Sequence, residues 1–191
     1  LLVDMATFVV SMGLFLRLPR LPARAPEEAP EPAPFVEGLR YLARTPRVAL
    51  LAASKPMMGL STGVVGIVPI AAAGLSPDDH DLVTGILFSA RGAGALLGTL
   101  GARALVPDDP WAMRRALTAG YLAMGLGWGL VAVSLAAGAG PAIGMLGFLA
   151  SAAGSGSIWV FSSTLLQTEA DRRYHGRVFA AEFGVMTLVF A

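Results

Sequence analysis

Residues 82–103, LVTGILFSARGAGALLGTLGAR, form a 22-residue apolar stretch with one interior charge, Arg91, and a second charge, Arg103, at its end. A helix rises about 1.5 Å per residue, so this length matches a hydrocarbon layer of about 30 Å. The polar cluster Ser76-Pro77-Asp78-Asp79-His80-Asp81 precedes it. The chain on both sides repeats the plan of long apolar spans with polar, charge-sorted ends. The expected fold is therefore an all-α, polytopic membrane helical bundle in which the interior arginine needs a reason.

Composition agrees. Hydrophobic residues make up 55% of the 191, and charged residues 14%, with a mean hydropathy of +0.66. Soluble domains carry about 25% charged residues and need them to cover a core of this size. Cysteine is absent, which excludes a disulfide framework, a thiolate metal site and a catalytic thiol.

Taken in order, residues 1–16 form the end of a transmembrane helix. Residues 17–47 form a polar connection whose first part is rich in Pro, Ala and Glu. Its second part, 34–47, spaces Phe35, Leu39 and Leu42 at about the helical period, which suggests a short amphipathic helix at the membrane surface. The alternative is the first turn of the next span. Transmembrane helices are expected over 48–74, 82–103, 116–137, 142–167 and 178–191. Both ends read as cut through a membrane helix, so the chain is expected to be a piece of a longer protein.

The cations sort by connection. Segments 17–47, 103–115 and 169–177 hold six, three and three Lys or Arg, while 75–81 and 138–141 hold none. Cytoplasmic loops are enriched in Lys and Arg. The alternation therefore places 17–47, 103–115 and 168–177 in the cytoplasm and residue 1 towards the outside.

Glycines four apart occur at Gly59/Gly63, Gly94/Gly98, Gly125/Gly129 and Gly140/Gly144. Such spacing forms grooves that let membrane helices approach closely. The run SAAGSGS at 151–157, just before Trp159, is expected to face a cavity rather than lipid.

Few residues carry chemistry. A central Arg is costly in a membrane helix, about 2.5–3.5 kcal/mol on insertion scales, so Arg91 must face protein or water. It marks either a substrate or counter-ion site or a buried structural contact. Lys55 lies near a boundary, where snorkelling to the headgroups is the cheaper explanation. Asp4 and Glu182 are the carboxylates inside apolar segments, and either can pair with Arg91 or carry a proton. His80 and His175 lie in polar loops without a partner at ligand spacing, so no metal site is expected. Gly92, Gly94 and Gly98 do not give a dinucleotide fingerprint, and no P-loop, nucleophile elbow or nucleic-acid groove is present. No cofactor is implied, and the chain is not expected to be an enzyme.

Four segments nevertheless form an ordered set. They are TF-x-x-S at 7–11, F-x-E-G-L-R-Y-L at 35–42, S-A-R-G-A-G-A-L-L-G at 89–98 and L-L-Q-x-x-x-x-x-R-x-x-G-R-V at 165–178. Together they resemble the major facilitator superfamily, in particular bacterial drug-efflux proteins related to the enterobactin exporter. The resemblance implies a fragment running from about the sixth to the eleventh transmembrane helix, with 17–47 linking two six-helix halves. It implies a multi-pass protein of the bacterial plasma membrane that works by alternating access. It also implies a cavity lined by 48–74 and 142–167, so Trp159, Ser155, Ser162 and Lys55 join Arg91 as substrate-cavity candidates. The family's cytoplasmic gating loop corresponds here to Gly98, Gly101, Arg103, Arg114 and Arg115. Its Asp-Arg core is missing. Gly176 and Arg177 match the Gly-Arg of the other cytoplasmic loop.

The function so implied is a secondary transporter, a proton-coupled antiporter effecting efflux of small amphipathic molecules, drug-like or siderophore-like. Its partners would be the lipid bilayer, a small-molecule substrate and the amino-terminal half of the same protein, with no nucleic acid. The alternative is a membrane scaffold or assembly subunit with no transport of its own. A membrane-embedded enzyme is the weakest reading, because no pair of catalytic groups converges.

Overall fold

A computed structural model of the chain describes residues 2–17, 34–62 and 66–190, with side chains at 5–17, 34–61 and 66–189. Among the described residues there are eight α-helices and no strand, so the fold is all-α. The chain divides into two units, Leu1–Glu31 and Pro32–Ala191. The first holds α1 (Leu2–Leu16). At 15 residues α1 is about 22 Å long, short of a full bilayer span.

The second unit holds α2 (Phe35–Arg44), α3 (Pro46–Thr62), α4 (Val68–Leu75), α5 (His80–Leu105), α6 (Pro110–Ala137), α7 (Pro141–Glu169) and α8 (His175–Phe190). A single 3-10 turn, Arg172–Tyr174, joins α7 to α8. Three of these helices, α5, α6 and α7, are long and apolar enough to cross a membrane. Their outward faces carry Leu96, Leu100, Leu122 and Leu126, all well exposed. A helix that is apolar on its outer face as well as its inner one is at home in lipid rather than water.

The span expected over 48–74 consists instead of two helices, α3 and α4, and residues 63–65 between them lie outside the described residues. The span expected from 116 begins six residues earlier. Asp109 caps α6 by accepting a hydrogen bond from the Ala112 amide at 2.8 Å, and Pro110 occupies the first turn, where its missing N–H is no loss. The charged residues Arg114 and Arg115 therefore lie within the helix.

At the other end of α6 the chain reverses within three residues. Gly138 (φ 59°) and Gly140 (φ 82°) take backbone conformations that L side chains resist. The Ser134 hydroxyl donates to the Gly140 carbonyl at 2.8 Å and ties the turn down.

Helix α7 is the hub. A Cβ at Gly94 or Gly98 would strike the backbone of Leu149 or Ala153, and one at Gly156 would stand 2.7 Å from the Ala95 carbonyl. These glycines press α7 against α5. Gly127 and Gly147 meet across α6 and α7, where a Cβ on Gly147 would lie 2.7 Å from the Gly127 carbonyl. Close packing of this kind replaces the hydrophobic drive that lipid does not supply. The pair Gly125/Gly129 has nothing within contact range, so the face of α6 that packs is the one bearing Gly120 and Gly127.

The 151–157 run is part of this contact. Ser151 is buried and bonds back to the Phe148 carbonyl, Gly154 abuts Gly120, and the Ser157 hydroxyl donates to the Gly98 carbonyl at 3.3 Å. It is a packing strip between α5 and α6, and its Ala153, Gly154 and Ser157 also border an open recess of about 310 Å³ among α5, α6 and α7. Small side chains serve either purpose, and here they serve both.

Candidate functional site

The core lies in three successive clusters. Val48, Leu51, Leu165, Leu166 and Val178 fill one end, Met58, Met124 and Ile158 the middle, and Val68, Leu87, Val131 and Phe148 the other end. The cationic segments meet at the first end. Arg114 binds Glu169 through two contacts, Nη2 at 2.7 Å and Nε at 3.3 Å. The Tyr41 and Tyr174 rings stack at 4.5 Å, and the Asp171 amide donates to the Tyr41 hydroxyl at 3.1 Å. Gly38 rests on Arg177, where a Cβ would lie 2.5 Å from the arginine Cβ. The second unit's arginine-bearing segments, 34–47, 103–115 and 169–177, thus share the ends of α3, α5, α6, α7 and α8.

Between that end and the middle sits an ion pair. Lys55 Nζ on α3 lies 3.2 Å from Glu182 Oε1 on α8, with side chains 4% and 1% exposed. The ammonium also stands 4.9 Å from the centroid of the Trp159 ring on α7 and 6.0 Å from that of Phe183. Such contacts contribute about 0.5–2 kcal/mol each. Lys55 is nine residues past Pro46, Trp159 ten before Glu169 and Glu182 seven after His175, so all three are roughly 10–15 Å along their helices from the cationic end. Measured from that end, this is about half the thickness of a hydrocarbon layer of about 30 Å.

Snorkelling therefore does not describe Lys55. Its neighbours supply a countercharge and an aromatic face at the site itself, so the stem need not reach the headgroups. The pairing considered for Glu182, with Arg91, gives way to one with Lys55.

The pair is not well compensated. The Lys55 ammonium, 3.2 Å from Oε1, is the donor nearest the Glu182 carboxylate, and no second donor reaches either oxygen among the described residues. Burying two charges costs several kcal/mol each, and without further hydrogen bonds their attraction does not reliably repay it. Beside the pair runs a cavity of about 150 Å³ lined by Leu42, Ala52, Pro56, Ala181 and Glu182 among others. On another side, the Tyr121 hydroxyl donates to the Ser54 carbonyl at 2.7 Å and fixes α6 to α3 one residue from Lys55.

The remaining candidates are dispersed. Arg91 is half-buried on α5 and has no ion pair or hydrogen bond among the described residues. Asp4 belongs to α1, and its side chain lies outside the described residues. Ser155 bonds back to the Ser151 carbonyl at 3.0 Å and touches Met124 Sδ, while Ser162 is fully buried and bonds back to the Trp159 carbonyl. Of the loop candidates, Gly98 is a helix contact, Gly101 lies inside α5, and Arg103, Arg115 and Gly176 are exposed.

Glu169, Tyr41, Tyr174 and Tyr121 were not anticipated. For Glu169 a signal existed: it and Arg114 stand at similar separations from the 138–140 turn, so folding the hairpin brings them together.

No family model, curated protein or solved structure matches this chain.

Proposed function

We propose that the chain is part of a secondary transporter of the major facilitator type. In this reading it carries small amphipathic molecules across a bacterial plasma membrane by alternating access, with proton-coupled efflux as the mode. The observation that carries it is the Lys55–Glu182 pair, buried at mid-depth among apolar helices, with no second donor to the carboxylate among the described residues. Ionisable groups at such a depth are expensive and mark substrate or ion pathways. Glu182 is the group that takes up and releases the proton. Lys55 holds it charged when the proton is absent, and the half-exposed Trp159 offers a face to an apolar substrate. Helices α3, α7 and α8 would rock as one wall of the cavity against a second helical half of the same protein.

Gathering of the arginine-bearing segments at one end supports the orientation, with that end cytoplasmic. Arg91, from α5, is the further substrate or counter-ion group.

The test uses the full-length protein in proteoliposomes with an imposed pH gradient and ethidium as the probe. The expected result is ethidium movement that collapses when an uncoupler is added. Movement indifferent to the gradient removes the antiport. Stable co-purification of a partner protein, with no movement of any amphipathic dye, replaces transport by the scaffold reading.

A further inference from the structure

At the cationic end, α2 presents three different faces. Gly38 and Leu42 point inward against the bundle. Phe35, Val36 and Leu39 form an apolar stripe that no part of the described chain covers, with exposures of 52%, 62% and 45%. Arg40 and Arg44, one helical turn apart, occupy the third face. Both are exposed, and neither has an ion pair or hydrogen bond among the described residues.

The two arginines border a recess of about 220 Å³ with Glu37, Tyr41 and Tyr174. That space equals about seven waters, ample for a phosphate group. Glu37, the one carboxylate there, is engaged by Arg173 at 3.6 Å. The stacked tyrosines make its wall. The recess therefore combines two guanidinium groups that have no partner among the described residues, and that suit phosphate by geometry and charge, with an acid that already faces Arg173.

We propose that this recess binds the phosphodiester headgroup of an anionic glycerophospholipid, with one acyl chain lying along Phe35, Val36 and Leu39. A free phosphate ion has no use for the apolar stripe, whereas a lipid needs both features side by side. The site lies where α3 enters its apolar run, which is where headgroups stand if α5, α6 and α7 span the bilayer. It requires only that the chain be embedded in lipid, so it stands or falls separately from transport.

The experiment titrates spin-labelled phosphatidylglycerol into the full chain in a neutral detergent, with spin-labelled phosphatidylcholine as the reference. Binding of phosphatidylglycerol should be preferred, and the Arg40→Gln/Arg44→Gln variant should weaken it by about tenfold or more. The Arg103→Gln/Arg115→Gln variant removes the same net charge from the same end and should leave it unchanged. Inorganic phosphate should not displace the lipid. Equal weakening by both double variants would reduce the effect to diffuse surface charge and overturn the proposal. Displacement by inorganic phosphate would make the recess a free-anion site, and no preference for the anionic lipid would leave no site at all.

Discussion

Lys55 Nζ and Glu182 Oε1 stand 3.2 Å apart although 127 residues separate them in the chain. Among the described residues nothing else supplies a full countercharge to either group. Removing one member alone leaves a buried charge without its partner, which costs about 3–5 kcal/mol in comparable pairs. Lys55→Met and Glu182→Leu should each lower the thermal unfolding midpoint in detergent. The double variant should recover most of that loss, because an apolar pair of similar volume fits the site. Transport should fail in all three. A double variant that is stable and transports like the parent would make the pair a structural device.

The glycine contacts separate packing from coincidence. A methyl group at Gly98 would collide with the Ala153 backbone, which cannot yield as a flexible side chain would. Gly98→Ala should force α5 away from α7 at a cost of about 1–3 kcal/mol. Gly125→Ala meets nothing within 4 Å. It should be neutral or stabilising by up to about 1 kcal/mol, through helix propensity alone. Unfolding midpoints of the two variants in one detergent decide the matter, and equal losses would mean that α5 and α7 are not in this register.

Local pattern was enough to see the all-α class and the three long apolar helices, α5, α6 and α7. What it could not resolve was which face of each helix packs. Gly94/Gly98 and Gly125/Gly129 have the same spacing, yet only the first pair abuts a neighbour. The difference lies in the rotation of α6, set by Gly120 and Gly127 against α7. The start of α6 was legible in the Asp109-Pro110 dipeptide, an N-cap followed by an N1 proline, but the charges at 114–115 suggested a loop. Lys55 was misjudged because depth along its own helix was weighed without the countercharge that α8 brings. Within 48–74, Pro56 lies inside α3 without ending it, whereas Pro69 occupies the first turn of α4, the same helix-start signal as Pro110, and it was passed over as a kink within one span.

Orientation is open to direct measurement because the chain contains no cysteine and so offers no background. Single cysteines at Ala43, Asp108 and Asp171 should react with a membrane-impermeant maleimide from one side only. Cysteines at Asp78 and Ala139 should react from the other. The charge rule puts the first group in the cytoplasm, so in intact cells only the second should label. Labelling of both groups from one side would dismantle the spanning arrangement of α5, α6 and α7.

Arg91 offers the sharpest separation of stability from function. It lies midway along α5, half-buried, with no ion pair or hydrogen bond among the described residues. A central arginine costs about 2.5–3.5 kcal/mol on insertion scales, and here no contact offsets it. Arg91→Leu should therefore raise the unfolding midpoint. If the residue instead waits for a substrate or counter-ion, the same replacement should lower transport by about tenfold or more, the loss of one charged hydrogen bond of roughly 1.5–3 kcal/mol. Higher stability with lost transport assigns Arg91 to the working site. Higher stability with intact transport removes it, and lower stability would reveal a structural contact to a part of the protein that the described residues do not include.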